Sequence, residues 1–456
     1  MKKKLVFAVI LLAIAGLSLS VYNLFVPYTS NPLQKYKSDD PLSVRAVAIL
    51  CEKCAGCHSE GSGLPFYGSL PVAKQLLALD VRMATKEVDY VKELMPESPH
   101  PVSAAVLAKT ERVVGKGSMP PGHYLIMHWN HRLSAADKKT LLEWVRETRS
   151  KQVAPAGIPA ALGKNVLQPL PDSVKVDPAK VALGEKLFHD VRLSKDNTVA
   201  CATCHDLKKG GTDQLPFSKG VGGTVGGINA PTVFNSGFQF IQFWDGRAAD
   251  LAAQADGPVN NPAEMASNWE EAKEKLSQDA EFTQAFNAVY PDGYKKDNFV
   301  NAIAEFEKTL VTPGPFDKYL KGDQNALTAE QKAGLRIFQD TGCANCHCGA
   351  ILGGQSFERM GLRKDYFADR GNVKEADYGR FNVTKKESDR YCLKVPTLRN
   401  IKLTAPYFHD SSTSDLGKAV ETMAKYQCGA ALSAGQVAQV VQFLESLTGE
   451  YKGQKL

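Results

Sequence analysis

The sequence predicts a mainly α-helical protein made of three small helical modules with long loops and few short strands, preceded by an N-terminal hydrophobic helix. Apolar residues recur with helical spacing, as at Phe299, Ile303 and Phe306. Few stretches alternate with the period of two that a half-buried strand requires. One short cysteine motif follows an apolar helical stretch three times, and an uninterrupted apolar run opens the chain.

Length and composition are those of a multidomain globular protein. A chain of 456 residues, at roughly 100 to 200 residues per domain, has room for two to four domains. Hydrophobic residues at 43% and charged residues at 23% exclude collagen, wholesale disorder and a polytopic membrane protein. The 55 Lys and Arg against 49 Asp and Glu leave a net charge of +6, which gives no reason to expect nucleic acid as a partner.

The cysteine motif is Cys-x-x-Cys-His. With ten cysteines and nine histidines, random placement gives roughly 0.004 copies in this chain, and there are three. Two thiols at this spacing can both add to the vinyl groups of one haem, while the adjacent histidine ligates its iron. Structural zinc requires a second pair of ligands, which no site has. We therefore predict three cytochrome c-like haem domains, with covalent haem c at Cys54 and Cys57, Cys201 and Cys204, and Cys343 and Cys346, and with iron ligands His58, His205 and His347.

The N-terminal segment 1–30 predicts export. Lys2, Lys3 and Lys4 precede an apolar stretch that ends at Val26 and would span a bilayer as a helix. The segment is expected either to remain as an anchor in the inner membrane or to be cleaved after Ser20. In both cases the body of the protein is expected in the periplasm, where covalent haem attachment takes place.

Composition places the domain boundaries. A stretch rich in Pro, Ala and Gly predicts a linker over 151–164, after an N-terminal monohaem cytochrome c domain over 40–150. Two further haem domains are expected over 165–325 and 326–456. These two share the pattern Gly-x-x-Leu/Ile-Phe before the haem motif, in GEKLF and GLRIF, which indicates an internal repeat.

The sixth iron ligand decides whether a haem is closed or open to substrate. In the first domain we expect Met119, because the two prolines that follow it stiffen its loop. The segment GSMPPGHY resembles the methionine loop of small class I cytochromes c. The alternatives for this position are Met83, Met95, Met127, His123, His128 and His131.

From about residue 175 to its end, the sequence resembles the bacterial dihaem cytochrome c peroxidases. The resembling segments include LFHDVRLS, CATCHD, GGTDQLP, NAPTVFNSGF, GCANCH and PTLRNIKLTAPYFHD. With a third haem motif in front, the chain looks like the membrane-anchored trihaem peroxidases, for which quinols are known donors. The resemblance implies reduction of hydrogen peroxide to water with electrons from a membrane quinol or a small soluble cytochrome or copper protein. Homodimers occur in the family.

The resemblance also assigns roles to the two later haems. It implies that the haem at His205 is peroxidatic and that the haem at His347 transfers electrons, with Met423 as the sixth ligand of the latter. Trp244 would lie between them. His409 is expected to support a haem pocket by hydrogen bonding rather than to bind iron.

The same resemblance implies the groups that act on peroxide. Glu264 matches the distal carboxylate and Gln254 its polar companion. Heterolytic O–O cleavage needs a base that accepts a proton from one oxygen and delivers it to the other, and one carboxylate can do both. The resemblance further implies an interhaem calcium ion, for which oxygen donors are suited, around Asn229, Thr404 and Pro406.

One position departs from the family pattern. Many relatives carry a histidine in the glycine loop after GGTDQLP, where it blocks the peroxidatic iron until the other haem is reduced. In this sequence the position is Val221. Because valine cannot ligate iron, we predict that the haem at His205 is open, or holds only water, when all three haems are ferric.

Two other functions remain open on the sequence. The first is a multihaem electron carrier in which Glu264 is incidental. The second is a protein-modifying enzyme similar to the dihaem oxygenase that matures methylamine dehydrogenase, which carries tyrosine where this chain has Met423.

Four cysteines lie outside the haem motifs. Cys51 forms a competing Cys-x-x-Cys pair with Cys54, but no histidine follows that pair. Cys392 and Cys428 are expected either to pair or to remain thiols, and Cys348 has no assigned role.

Overall fold

The computed structural model describes residues 2–25, 30–63, 65–95 and 101–456. The chain divides into two compact units, Met1–Gln152 and Val153–Leu456, which we call unit 1 and unit 2. Both are mainly helical, as the sequence predicts. The helices of unit 1 are α1 (Lys2–Phe25), α2 (Pro41–Lys53), α3 (Pro71–Glu87), α4 (Tyr90–Leu94), α5 (Ala104–Lys116), α6 (Gly122–Leu125) and α7 (Ala135–Gln152).

Unit 2 contains the remaining helices and short antiparallel strands. Strand β1 (Phe357–Arg359) pairs with β2 (Cys392–Lys394), and β3 (Glu450–Tyr451) pairs with β4 (Gln454–Lys455). The helices are α8 (Ala160–Gly163), α9 (Pro178–Phe188), α10 (Cys201–Cys204), α11 (Leu251–Asn260), α12 (Trp269–Leu276), α13 (Ala280–Val289), α14 (Lys296–Lys308), α15 (Pro315–Leu320), α16 (Ala329–Thr341), α17 (Tyr366–Arg370), α18 (Phe381–Thr384), α19 (Leu416–Met423) and α20 (Ala434–Glu445).

The N-terminal segment forms α1, but the prediction of a hydrophobic membrane-spanning helix is wrong. Across the ranges that the structure describes, no helix combines the length and the apolar character needed to cross a bilayer. Polar residues near the end of α1 bond to the rest of unit 1. Ser20 Oγ donates to the carbonyl of Ile126 at 3.0 Å, and Asn23 Nδ2 donates to the carbonyl of Met127 at 2.9 Å. The end of the predicted apolar run, Val26, lies outside the described residues.

Unit 1 packs α2, α5 and α7 around a small apolar core. Leu50, Leu107 and Leu141 are completely buried in it. Helix α2 begins after Asp40, whose side chain accepts hydrogen bonds from backbone N–H groups of the first turn. Pro41 occupies the first helical position, where a backbone N–H would have no acceptor within the helix. It ends one residue before the first haem motif, so the motif is attached to the core by the last turn of α2.

Unit 2 contains the internal repeat that the sequence indicates. In each copy the helix before the haem motif crosses a second helix at a glycine: α9 crosses α14 at Gly184, and α16 crosses α20 at Gly334. A Cβ on Gly184 would lie 1.9 Å from the carbonyl oxygen of Ala302, and one on Gly334 would lie 1.9 Å from that of Gln439. The shared Gly-x-x-Leu/Ile-Phe pattern is therefore a close helix crossing, used twice.

We expect Gly334→Ala to destabilise unit 2 by about 1–3 kcal/mol, because the added methyl group forces α16 away from α20. Urea unfolding of the haem-loaded protein measures this effect. The control is Gly435→Ala in α20, where a Cβ meets nothing within 4 Å. That change is expected to be neutral or stabilising by up to about 1 kcal/mol. Equal losses of stability in both variants would contradict the close crossing.

A buried ion pair joins three chain segments of unit 2 that are distant in sequence. The guanidinium of Arg399 donates to both carboxylate oxygens of Asp317 at 2.8 Å, and both side chains are almost completely inaccessible to water. The Asp317 carboxylate also accepts the backbone N–H of Leu170 at 2.7 Å and that of Gly314 at 2.8 Å. Because every acceptor position of the carboxylate is used, the pair fixes three chain segments at one point.

Candidate active site

The three haem motifs fold in the same way. In each, the backbone N–H of the histidine donates to the carbonyl of the first cysteine at 3.0 Å, which closes a tight turn over the motif. The first motif follows α2, the second forms α10, and the third follows α16. A short turn of this kind is sufficient for two thiols to reach one haem, because the two cysteines are only three residues apart.

The three histidines also share one orientation. In each ring, Nδ1 faces a backbone carbonyl and must donate to it, which leaves the Nε2 lone pair available for a metal. This donor set fits haem iron. The Nδ1 atoms of His58, His205 and His347 lie 3.1, 3.3 and 3.1 Å from the carbonyl oxygens of Val88, Gly211 and Leu352, respectively.

Burial sets the charge state of the motif residues. It lowers the pKa of His347 to about 4 and also lowers the pKa values of His58 and His205, which favours the neutral imidazoles. Burial raises the pKa of Cys54 to about 12 and that of Cys57 to about 11, so the thiols are protonated before haem attachment. Neutral groups of this kind are suited to an enclosed, largely apolar cofactor site.

In unit 1, Met119 lies in the loop between α5 and α6 and is 39% exposed. Two of its competitors make side-chain hydrogen bonds within unit 1. Both ring nitrogens of His128 are hydrogen-bonded, Nε2 to the hydroxyl of Tyr67 at 2.8 Å and Nδ1 to the carbonyl of Tyr124 at 3.1 Å. His131 Nδ1 bonds to the Tyr124 hydroxyl at 2.6 Å. These contacts favour Met119 over His128 as an iron ligand.

The structure brings Glu264 next to the second motif and the glycine loop. Burial raises the pKa of Glu264, against the hydrogen bond that Asn261 Nδ2 donates to Oε1 at 2.6 Å. The backbone N–H of Val221 donates to the carbonyl of Glu264 at 2.8 Å. A Cβ on Gly220 would lie 2.2 Å from the carbonyl oxygen of Ala263, so the loop and the carboxylate segment are in direct backbone contact.

Gln254 and Val221 lie in different elements, Gln254 in α11 and Val221 in the glycine loop. Gln254 is half-buried in α11, and among the described residues its side chain is not hydrogen-bonded to that of Glu264. Val221 is partly buried and packs against the apolar core that includes Leu183 and Val199. The loop position at which relatives carry a histidine therefore holds a partly buried valine.

Trp244 lies in unit 2 and contacts residues from segments that are distant in sequence. Its indole N–H donates to the carbonyl of Asn229 at 3.0 Å, and its ring packs edge-on against His409, with ring centroids 6.1 Å apart. The same apolar cluster contains Met423, the last residue of α19. The structure thus places Trp244 in contact with His409 and packs Trp244 and Met423 against one apolar cluster.

The predicted calcium residues belong to neighbouring segments. The backbone N–H of Asn229 donates to the carbonyl of His409 at 2.9 Å, and its side chain donates to that of Leu215 at 3.2 Å. Thr404 and Pro406 lie in the same 403–409 segment as His409. The Thr404 hydroxyl donates to the carbonyl of Ile401. Asn229 and the 403–409 segment are therefore in contact.

Sequence reasoning missed a buried charge cluster beside Trp244. Arg370 donates to the carboxylates of both Asp377 and Asp410, and His409 Nε2 lies 2.7 Å from Asp377 Oδ1. Burial acts to raise the pKa of Asp377, but the bonds from His409 and Arg370 hold it well below its usual value. A cavity of about 270 Å³ adjoins the cluster. Nothing in local sequence indicates the cluster, because its members are up to 40 residues apart.

Two further buried charged groups were also missed. Burial raises the pKa of Glu307 in α14 to about 8, and among the described residues its Oε2 atom has no hydrogen-bond partner. Burial lowers the pKa of Lys394 in β2 to about 7. Lys394 Nζ donates to the carbonyl of Ile241 at 3.1 Å, and its backbone N–H donates to the carbonyl of Trp244 at 2.8 Å. For Glu307 the sequence did contain a signal of burial, because a charged residue stands within the apolar face of a helix.

Among the cysteines outside the motifs, the thiols of Cys392 and Cys428 face different groups. The Cys392 thiol faces the carbonyls of Ser388 and Arg390, whereas that of Cys428 contacts Cys343 and, together with burial, raises the pKa of Cys343. The Cys392–Cys428 disulfide considered on the sequence is therefore not formed, since the two thiols face different partners.

Two family models match the chain. Residues 178–325 match the model described as di-haem cytochrome c peroxidase, and residues 18–147 match one described as haem-binding domain. Cytochrome c peroxidase Ccp of Escherichia coli (strain K12) is 44% identical over 459 residues, 98% of each chain. Cytochrome c551 peroxidase of Nitrosomonas europaea is 44% identical over 66% of this chain and 89% of its own length. A crystal structure of a MauG-like protein associated with microbial copper homeostasis is 25% identical, with a TM-score of 0.56 over 65% of this chain and 95% of that one.

Proposed function

Because this chain belongs to the di-haem cytochrome c peroxidase family and is an oxidoreductase that acts on peroxide, we propose that it reduces hydrogen peroxide to two waters with three covalently bound haems. The observation that supports three is the identical donor arrangement of all three motifs, each with its histidine Nδ1 held by a backbone carbonyl. When bound, haem supplies the metal centre and the electrons for the reaction.

In this proposal Glu264 is the acid and base. It accepts a proton from one oxygen of the substrate and returns it to the other as the O–O bond breaks. Partial burial supports this role, because it raises the pKa of the carboxyl towards the working pH, and Asn261 orients one of its oxygens. Gln254 is proposed as a polar companion on the substrate side. The charge of Glu264 also acts on Cys201 and Cys204, which supports a position close to the second motif.

We further propose that electrons enter at the first motif and reach the His205 site by way of Trp244. Met119 and Met423 are the proposed sixth ligands of the haems held by His58 and His347. The packing of Trp244 and Met423 in one apolar cluster supports this order. A methionine at residue 423, where the methylamine dehydrogenase maturation enzyme has tyrosine, favours peroxide reduction over protein modification.

The protein as isolated, with all haems ferric, is expected to react with hydrogen peroxide at once, because Val221 cannot block the site. Rapid mixing followed by optical and EPR spectroscopy should show an open second haem and consumption of one equivalent of peroxide. Val221→His is expected to produce a low-spin haem that needs prior reduction. Val225→His, on the exposed part of the same loop, is the control and should behave as wild type.

Two results would contradict the proposal. A wild-type protein with three low-spin, six-coordinate haems that leaves peroxide unchanged is a pure electron carrier. If the wild-type protein reacts with peroxide only after its haems have been reduced, another residue occupies the iron position that Val221 cannot ligate.

We also propose an interhaem calcium ion near Asn229, Thr404 and Pro406. The contact of Asn229 with the 403–409 segment supports it, and oxygen atoms are the donors that calcium prefers. Metal analysis before and after dialysis against a chelator tests the site. Retention of full activity and of unchanged spectra in a calcium-free protein would rule it out.

The proposed location is the periplasm, where c-type haems are attached. The electron donor is either a quinol or a small soluble cytochrome or copper protein. Steady-state peroxide turnover with a reduced quinol, compared with a reduced soluble cytochrome, distinguishes these donors. A homodimer is proposed on the family resemblance alone, and its test is the mass of the haem-loaded protein in solution.

A further inference from the structure

Every acceptor position of the Asp377 carboxylate is occupied. Oδ1 accepts from Arg370 Nη1 at 3.0 Å and from His409 at 2.7 Å, while Oδ2 accepts from Arg370 Nη2 at 2.5 Å and from the backbone N–H of Lys374 at 2.6 Å. The side chain is 2% exposed. A carboxylate with four donors is ionised and fixed in position.

This arrangement fixes His409. Since Asp377 can only accept, His409 Nε2 carries a hydrogen and donates it, which sets both the tautomer and the orientation of the ring. The ring then packs edge-on against Trp244, 62° from parallel. The backbone completes a closed circuit, because the carbonyl of His409 accepts from Asn229 and the carbonyl of Asn229 accepts from the Trp244 indole.

The cluster beside Trp244 carries excess negative charge. Asp377 and Asp410 contribute two negative charges, and Arg370, which bonds to both, contributes one positive charge. Ligand atoms of Asp377, Asp410 and His409 lie within 4.8 Å of one another, and the Arg370 guanidinium bonds both carboxylates. Lys374 is exposed to solvent, which screens its charge.

We propose that Asp377 and His409 are positioning residues that make Trp244 an electron relay, by fixing its indole and by stabilising a positive charge on it. The inference rests on the proposed peroxidase function and deepens it. A negative charge held behind an ordered imidazole lowers the free energy of an oxidised indole, because the interior is a poor dielectric.

Each half-cycle moves one electron through Trp244. Trp244 gives one electron to the His205 side of unit 2 and receives one electron from the His347 side. Its Nε1 hydrogen stays in place, because the acceptor is the carbonyl oxygen of Asn229, which is not a base at neutral pH. Two such transfers supply the two electrons that hydrogen peroxide, with two protons, consumes in forming two waters.

The test is single-turnover electron transfer in haem-loaded protein whose His347 haem alone has been reduced. After mixing with hydrogen peroxide, reoxidation of that haem is followed optically, and the indole radical is followed by freeze-quench EPR. Asp377→Asn keeps the size of the side chain but removes its negative charge. It is expected to slow the transfer about tenfold, because the oxidised indole loses the attraction of one unit charge at short range in a protein interior. The radical signal should fall, while both haem potentials stay unchanged.

Asp410→Asn keeps the Asp377–His409 bond and removes one charge, so it covers the case in which Asp377→Asn does not fold, and it is expected to slow the transfer less. The control is Asp369→Asn on α17, which bonds to Tyr426 and should have no effect. If Trp244→Phe does not slow the transfer, Trp244 is not the relay and that part of the proposed function is wrong. If Trp244→Phe slows it but neither Asp377→Asn nor Asp410→Asn does, only this inference is overturned.

Discussion

Glu264→Gln is expected to lower peroxide turnover by about 10²–10⁴-fold, the usual contribution of a positioned acid or base. Glutamine keeps the shape of the side chain and can still bond to Asn261, so the haem content and the stability of unit 2 should not change. The measurement is kcat/KM for hydrogen peroxide at constant donor concentration. Glu270→Gln on α12, whose carboxylate is 80% exposed, is the control and is expected to have wild-type activity.

The pH dependence gives a second readout of the same residue. Burial raises the pKa of Glu264 above the ordinary glutamate value of 4.5, and the base form is required in the free enzyme. The wild-type kcat/KM should therefore fall as the pH decreases through this raised pKa. The acidic limb should be absent from the Glu264→Gln profile. A variant that keeps full activity, or keeps the acidic limb, would show that another group transfers the proton.

The double variant Cys54→Ser, Cys57→Ser is expected to reduce donor-driven turnover to the background rate. The haem content should fall from three per chain to two. Units 1 and 2 have separate cores, so unit 2 should remain folded and should still complete one turnover when its own haems have been reduced chemically. Pyridine haemochrome analysis and steady-state assays with each donor measure these effects.

Cys51→Ser is the matched control for the double variant. Cys51 lies in α2, outside the register that supplies His58, so this variant should retain three haems and full turnover. Undiminished donor-driven turnover in the double variant would show that electrons enter unit 2 directly.

The local parts of the site were predictable from the sequence. Each haem motif is complete within five residues, and the glycines at 184 and 334 belong to a pattern that repeats close to the motif. The resemblance to known peroxidases also indicated Trp244 and Glu264, which the structure puts beside His409 and the second motif. The haem motifs depend on short segments, in which chain geometry alone determines what meets, whereas Trp244 and Glu264 were indicated only by the resemblance.

The long-range parts were not predictable. Asp377, Asp410 and Arg370 resemble ordinary surface charges in the sequence, and only the folded chain brings them together beside Trp244. The predicted membrane-spanning helix was wrong for a related reason. Counting apolar residues did not reveal that Ser20 and Asn23 bond to carbonyls of the 126–127 turn.

The contact at Gly220 has a consequence for how access to the centre can be controlled. This position has no space for a side chain, and its neighbour holds the main chain of the acid–base residue through a single amide. A rearrangement that drew the loop away, or pushed it over the metal, would displace the proton donor as well. With Glu264 in its proposed role, substrate entry and proton delivery would be mechanically coupled, and mutations that alter one are expected to alter the other.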